Sequence, residues 1–286
     1  MAYPSNSNTN INNELYANLV TAAQFAAYEQ SVARQLVTVF DAPLNTGLNL
    51  QVPVWSSVSA DLITDESAAT AKTTNTTSAT ITLAEHVVYH QITDQLRDSA
   101  YSNVFAQIGE QSGRAIAESL DTQVFSTFAN FTTDLGTSGK ELVVADLLSA
   151  AATLRSRKLT GPFYCVVHPG AAYNLKKTLA TPAYYSGGYV ANPSDVGNNI
   201  LSGFYIGQVA GIQVFESALV PTSSSDSTAA VFVPGAIGHA MRGTVEMNTL
   251  YLPANRATDV VLKAVAGATA IQTGFGVKIT CDKTIN

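Results

Sequence analysis

Phe163-Tyr-Cys-Val-Val-His-Pro-Gly-Ala-Ala-Tyr-Asn-Leu175 is the stretch on which the fold turns. Its first five residues are an apolar run held between Gly161-Pro162 and Pro169-Gly170, the boundaries of a short buried strand. From Ala171 to Leu179 the apolar positions return at helical spacing, so strand passes to helix within one phrase. Just upstream, Val143 to Leu159 is a second amphipathic helix carrying Leu147, Leu148, Ala151 and Leu154. Downstream, residues 181–203 are rich in Gly, Pro, Asn, Ser and Tyr and read as a long loop. Strand character resumes at Ile212 and Val214 and again over Ala230–Val233. The tail adds three strands, near Val245–Leu252, Thr258–Ala266 and Phe275–Cys281. Helix, strand and helix are followed by a return to strands, a mixed α+β order.

Toward the N-terminus the pattern lengthens. Asp98, Ser99 and Tyr101 open a helical stretch in which Tyr101, Val104, Phe105, Ile108, Ser112, Ala115, Ile116, Leu120, Val124 and Phe128 keep one face apolar. Thirty residues at ~1.5 Å each give a helix of roughly 45 Å, long for a globular protein. Gly109 and Gly113 within it each cost about 1 kcal/mol and imply close packing. Asp134-Leu-Gly-Thr-Ser-Gly139 ends the element in a turn. Before the helix, Leu50, Val52 and Val54 alternate with polar residues as a half-buried strand, and Ile81, Leu83 and Val87-Val88-Tyr89 form a returning one. Between them, Ser56 to Ala79 is too polar to offset its own ordering by burying a core. Loops of that length inside a compact domain are functional or disordered, and with a strand on each side this one reads as an arm reaching away from the body. Glu14 to about Val37 is helical by spacing, closed by Pro43, and residues 1–13 are a polar arm.

Charged residues make up 13 % of the chain, about half the usual share of roughly 25 %. A surface so poor in hydrated groups fits the core of a protein–protein interface, and composition alone fits a neutral secreted domain equally well. The net charge of −6 and the scatter of the cations argue against a nucleic-acid reader. Cys165 and Cys281 lie in apolar strand-like runs and read as free buried thiols. The N-terminus lacks the basic and apolar regions of a signal peptide, and no stretch reaches the ~18 apolar residues of a membrane span. The expected setting is a host cytoplasm, with no membrane partner.

Chemistry was sought and is not expected. His86 and His90 have i, i+4 spacing, but the alternation around them is that of a strand, and no further ligand accompanies them. His168 and His239 read as structural. Gly136-Thr-Ser-Gly-Lys140 has the outward form of a phosphate loop, but Asp134 stands where its first glycine belongs and Glu141 where Ser or Thr belongs. Asp65-Glu66 reads as solvated. No nucleophile, base and oxyanion hole assemble, so no catalytic residue, cofactor or metal is assigned.

Several phrases, in their order, resemble the Hong-Kong-97-type capsid family of tailed phages and the related encapsulins. Phe163 to Leu175 is similar to that family's strand-then-helix segment. Ile206-Gly-Gln-Val-Ala-Gly-Ile-Gln-Val-Phe-Glu-Ser217 with Leu219-Val-Pro221 is similar to its glycine, strand and proline signature. Ala230-Val-Phe-Val-Pro-Gly-Ala-Ile-Gly-His-Ala240 resembles its next strand and small helix, and Gly274-Phe-Gly-Val-Lys-Ile279 its closing strand. The resemblance implies an N-terminal arm with helix at 1–47 and an extended β-hairpin loop at 48–92. It further implies a peripheral domain at 93–142 and 239–286 built on a long spine helix, and an axial domain at 143–238.

The function so implied is that of a major capsid protein, assembling as hexamers and pentamers into an icosahedral virion shell around double-stranded DNA in a bacterial host. Its partners would be further copies of itself, a portal, a separate scaffolding protein and a decoration protein, with only non-specific proximity to DNA. Because the arm begins almost at once, the expectation is either a separate scaffold or a chain that is already the mature form. Trp55, Leu62, Ile63 and Lys72 are the candidate inter-subunit contacts. Lys72 is the only lysine of the loop, and part of the family joins such a lysine to an asparagine of a neighbour. Asn248 and Asn255 are the candidates here, but that reaction also needs a buried carboxylate, so denatured particles are expected to run as one band. Two other readings stay open: an encapsulin-type compartment, and a soluble monomeric α+β enzyme or binding domain.

Overall fold

The computed structural model describes residues 31–44, 47–63, 65, 68, 70–99, 104–180, 205–209 and 211–285. The N-terminal arm 1–13, most of the helix read from Glu14, the opening of the long helix at Tyr101 and the whole 181–203 loop lie outside these.

Three sheets and one long helix organise the described chain. The first sheet has four strands in the order β1 (Thr38–Asp41), β11 (Ile237–Leu252), β12 (Ala257–Ala270) and β4 (Ala84–Thr93). β1 runs parallel to β11, and the other pairs are antiparallel. The second has the order β5 (Thr133–Asp134), β13 (Gly276–Asp282), β10 (Asp226–Phe232), β6 (Phe163–Val167), β8 (Ile212–Glu216) and β7 (Tyr205–Val209), with β9 (Thr222–Ser223) beside β10. The third is a two-stranded ribbon of β2 (Asn49–Trp55) and β3 (Thr76–Thr82).

Of the helices, α1 is Ala33–Leu36, α2 Asp94–Ser99, α3 Val104–Ser126, α4 Val144–Ser156 and α5 Pro169–Ala180. The long helix α3 lays Ile116 and Leu120 on the four-stranded sheet, against Val260, Leu262 and Ala264 of β12 and Met241 and Val245 of β11. Gly109 and Gly113 are both buried, as their cost in a helix requires. Helices α4 and α5 cover the larger sheet with Leu147, Leu154, Ala171 and Leu175 against Cys165, Val214, Val231 and Ile279. A third cluster joins the two bodies, where Phe125 and Phe128 at the end of α3 meet Phe232 of β10, with ring centroids 5.6 Å apart for Phe128 and Phe232.

Several expectations are corrected. Ile81, Leu83 and Val87–Tyr89 are not one returning strand, because the chain changes partner at Leu83. Before it, β3 pairs with β2; after it, β4 pairs with β12. The span 48–92 therefore holds a hairpin and also an edge strand of the body. Likewise 239–286 divides, since β13 pairs with β10 in the larger sheet. The strand and small helix expected over 230–240 are present, as β10 and a 3-10 helix at Pro234–Ala236, and a new strand begins at Ile237. Leu148 and Ala115 fit the helical period loosely and point to solvent, one position off the faces that Leu147 and Ile116 bury. In each case the apolar period was real, but it does not say which element supplies the cover.

Candidate assembly surface

The ribbon of β2 and β3 is regular along its whole length, from Asn49 opposite Thr82 to Trp55 opposite Thr76. Ser56 N–H then donates to the Asn75 carbonyl at 3.0 Å, and Asn75 N–H to Ser56 Oγ at 3.1 Å, extending the pairing by one step. At its root, Leu83 N–H donates to the Leu48 carbonyl at 2.8 Å and the Arg242 guanidinium donates to the Gly47 carbonyl. Ile81, Leu83, Leu50 and Val52 pack there with Ala42, Phe40, Ala240 and Val265. A lone two-stranded ribbon is marginal in water, and this packing holds its first half.

The far half has no such cover. Trp55 is 65 % exposed and Leu62 fully exposed, while Ile63 and Val58 are also open. Of the four candidate contact residues, Trp55 lies at the last strand pair and Leu62, Ile63 and Lys72 on the segment beyond it. Lys72 Nζ lies 2.7 Å from Asp61 Oδ1, an exposed ion pair that ties the two limbs of this segment. Val58 was missed as a contact candidate; an isolated valine among Ser and Ala gave no periodic signal. Asn255 sits in the turn after β11, lining a cleft of about 550 Å3 with Thr93, Gln95, Asp98, Ser99 and Arg256. Asn248 lies on β11 opposite Val261.

His86, His90, His168 and the Gly136–Lys140 loop have hydrogen-bond partners within the fold. His86 and His90 share one face of β4, as strand alternation requires, and meet α3 through Ser119 at 2.7 Å and Ser112 at 2.9 Å. Ser112 spends its hydroxyl proton on the Ile108 carbonyl at 2.6 Å, so His90 Nε2 is the donor to Ser112. His168 Nδ1 accepts from Gly170 N–H at 3.1 Å. His239 is buried on β11 beside Val39 of β1, and burial first, then Arg34 and His86, lower its pKa to about 4. Burial pushes both thiols, Cys165 and Cys281, up from the usual range. The Gly136–Lys140 loop closes on a carboxylate of its own chain: Gly139 N–H donates to Asp226 Oδ1 at 2.9 Å and Ser138 to Asp226 Oδ2. Among the described residues no three His, Cys, Asp or Glu side chains come together as a metal site. Glu66 of the Asp65-Glu66 pair lies outside the described residues.

A model of the family described as "Phage capsid protein" matches residues 76–282. No curated protein matches the sequence. Among solved structures, the capsid of the Cyanophage P-SCSP1u superposes with a TM-score of 0.66 at 18 % identity, over 87 % of this chain and 87 % of that one. A structure from Mycobacterium phage Che8 gives 0.65 at 16 % identity over 90 % and 93 %. The capsid of a native GTA particle gives 0.65 at 12 % identity over 91 % and 90 %. At these identities the likeness is one of fold: a mixed α+β architecture with a long helix, shared nearly end to end.

Proposed function

Because the chain belongs to the phage capsid protein family, we propose that it is the major shell subunit of a tailed phage or a GTA-like particle, closing into an icosahedral shell of hexamers and pentamers around double-stranded DNA. It is a structural protein, and its place is the virion shell. Membership removes the enzyme reading, and the encapsulin reading has no observation in its favour.

The observation that carries the mechanism is the hairpin Asn49–Thr82, packed at its root and bare at its tip. Apolar side chains as open as Trp55 and Leu62 are stable additions to a surface when a neighbour covers them. Rings of subunits use heterologous contacts, in which one patch meets a different patch on the next copy. The hairpin is then the extended loop laid over the adjacent subunit, with Trp55, Val58, Leu62 and Ile63 as its anchors. The Lys72–Asp61 pair serves to shape the tip rather than to cross-link it. The four-stranded sheet with α3 forms the peripheral domain, and the seven-stranded sheet with α4 and α5 forms the axial domain. Scaffolding, portal and decoration proteins are the further partners this role calls for.

The register fixes the test. Since Ser56 still pairs with Asn75, residues 57–74 can be replaced by Asn-Gly, a two-residue turn that closes the same ribbon. The shortened subunit is expected to keep its circular dichroism spectrum and to sediment as subunits or capsomers without shells. Normal particles would show that the tip makes no essential contact. Loss of the fold would show that the segment belongs to the core.

A further inference from the structure

Asp121 breaks the apolar stripe of α3. It is 3 % exposed, between Ala117 and Phe125 on the buried face. Among the described residues no Lys or Arg pairs with it. Its partners come instead from the segment entering α1: Ser31 Oγ donates to Oδ1 at 2.6 Å and Val32 N–H to Oδ2 at 3.0 Å. The Ala33 backbone also donates to the carboxylate. Ser31 is itself buried, and its oxygen accepts from Arg34 N–H at 3.4 Å. One carboxylate thus caps the first turn of α1 from another helix, some ninety residues away in sequence.

A four-residue helix cannot hold itself, since nucleation fixes several dihedrals for a single hydrogen bond. Ala33 and Leu36 give it apolar anchorage beside Val124 and Phe125. The carboxylate adds something packing does not supply, a fixed direction for the backbone at 31–33. It does so at a cost in stability: burial raises the Asp121 pKa despite the three hydrogen bonds that lower it.

We propose that Asp121 is a positioning residue for shell assembly: with Ser31 it clamps the start of α1 against the long helix, and α1 leads through β1 to the hairpin root, where Phe40 and Ala42 pack. This rests on the capsid reading above. A small change of angle at the clamp becomes a displacement of ångströms at the far end of the hairpin. A subunit can therefore be stable without the clamp and still assemble wrongly.

Asp121→Asn keeps the shape, removes the charge and leaves one acceptor for three donors. Ser31→Ala removes one donor and leaves the carboxylate intact. Both are compared with the unaltered chain, whose shells by themselves report on the capsid reading. For Asp121→Asn the expected result is a native circular dichroism spectrum, a melting temperature only a few degrees below the parent's, and amide exchange at Val32 and Ala33 faster by about tenfold. Electron microscopy of the assembled material should show few shells or shells of irregular size, with Ser31→Ala intermediate. Regular shells in normal yield from a folded Asp121→Asn subunit overturn the proposal. If Asp121→Asn fails to fold, Ser31→Ala decides: defective shells from a stable Ser31→Ala subunit sustain the proposal, and normal shells overturn it.

Discussion

The carbonyl oxygen of Thr82 lies 2.2 Å from the position a Cβ on Gly267 would occupy. The last residue of the hairpin thus crosses β12 backbone against backbone, and only a residue without a side chain allows that crossing. Gly267 faces Ala240 across the sheet, so the contact is locked from the β11 side as well. Gly267→Ala should cost on the order of 1–3 kcal/mol by overpacking, and the hairpin root should shift to relieve it. Chemical denaturation measures the first effect. A wild-type midpoint would mean that the root is looser than this contact requires.

The long helix offers a paired test. Ile116 is 1 % exposed beneath the sheet, whereas Gln111 is exposed on the opposite side. Ile116→Asp buries an unpaired charge and should cost roughly 3–5 kcal/mol, enough to remove soluble folded subunit. Gln111→Asp should stay within about 0.5 kcal/mol of the parent. Expression and thermal melts of the two subunits side by side check the assignment, and equal behaviour would refute it.

Acid should weaken the subunit through His239. It is 2 % exposed, neither ring nitrogen meets a protein partner among the described residues, and the charged groups facing it, Arg34 of α1 and His86 of β4, both oppose protonation. In the unfolded chain His239 takes up a proton near pH 6.5, but in the fold only near pH 4. Between those values the unfolded state binds more protons, so this residue's contribution is full above pH 6.5 and is lost as pH falls toward 4. The loss is roughly 3 kcal/mol at most. Asp121 acts in the opposite sense, since its raised pKa favours proton uptake by the fold. His239→Leu should flatten the decline in unfolding free energy between pH 6.5 and 4, measured by urea titration at a series of pH values. An unchanged slope would assign the acid sensitivity to other groups.

Much of this architecture was legible in the chain itself. The strand Phe163–Val167, the helices α4 and α5 and the closing strand β13 announce themselves by apolar period and by Gly and Pro at their ends. The polar span after Trp55 marked the arm, because too few apolar groups can never bury themselves. The histidines at 86 and 90 were rightly placed on a strand. Asp121 had a signal that went unread, a single acid in an otherwise apolar helical stripe.

What the sequence determined by itself is which residues must leave water: a property of each side chain and its nearest neighbours along the chain, read through periods of 2 and 3.6. What only the tertiary structure decided is what covers them. Leu83 separates two strands that join different sheets, and β13 pairs with β10 rather than with the strands that precede it. Asp121 finds Ser31 ninety positions away, and Gly267 is needed only because Thr82 passes over it. Such choices compare the free energies of whole packings, and no local stretch contains that comparison.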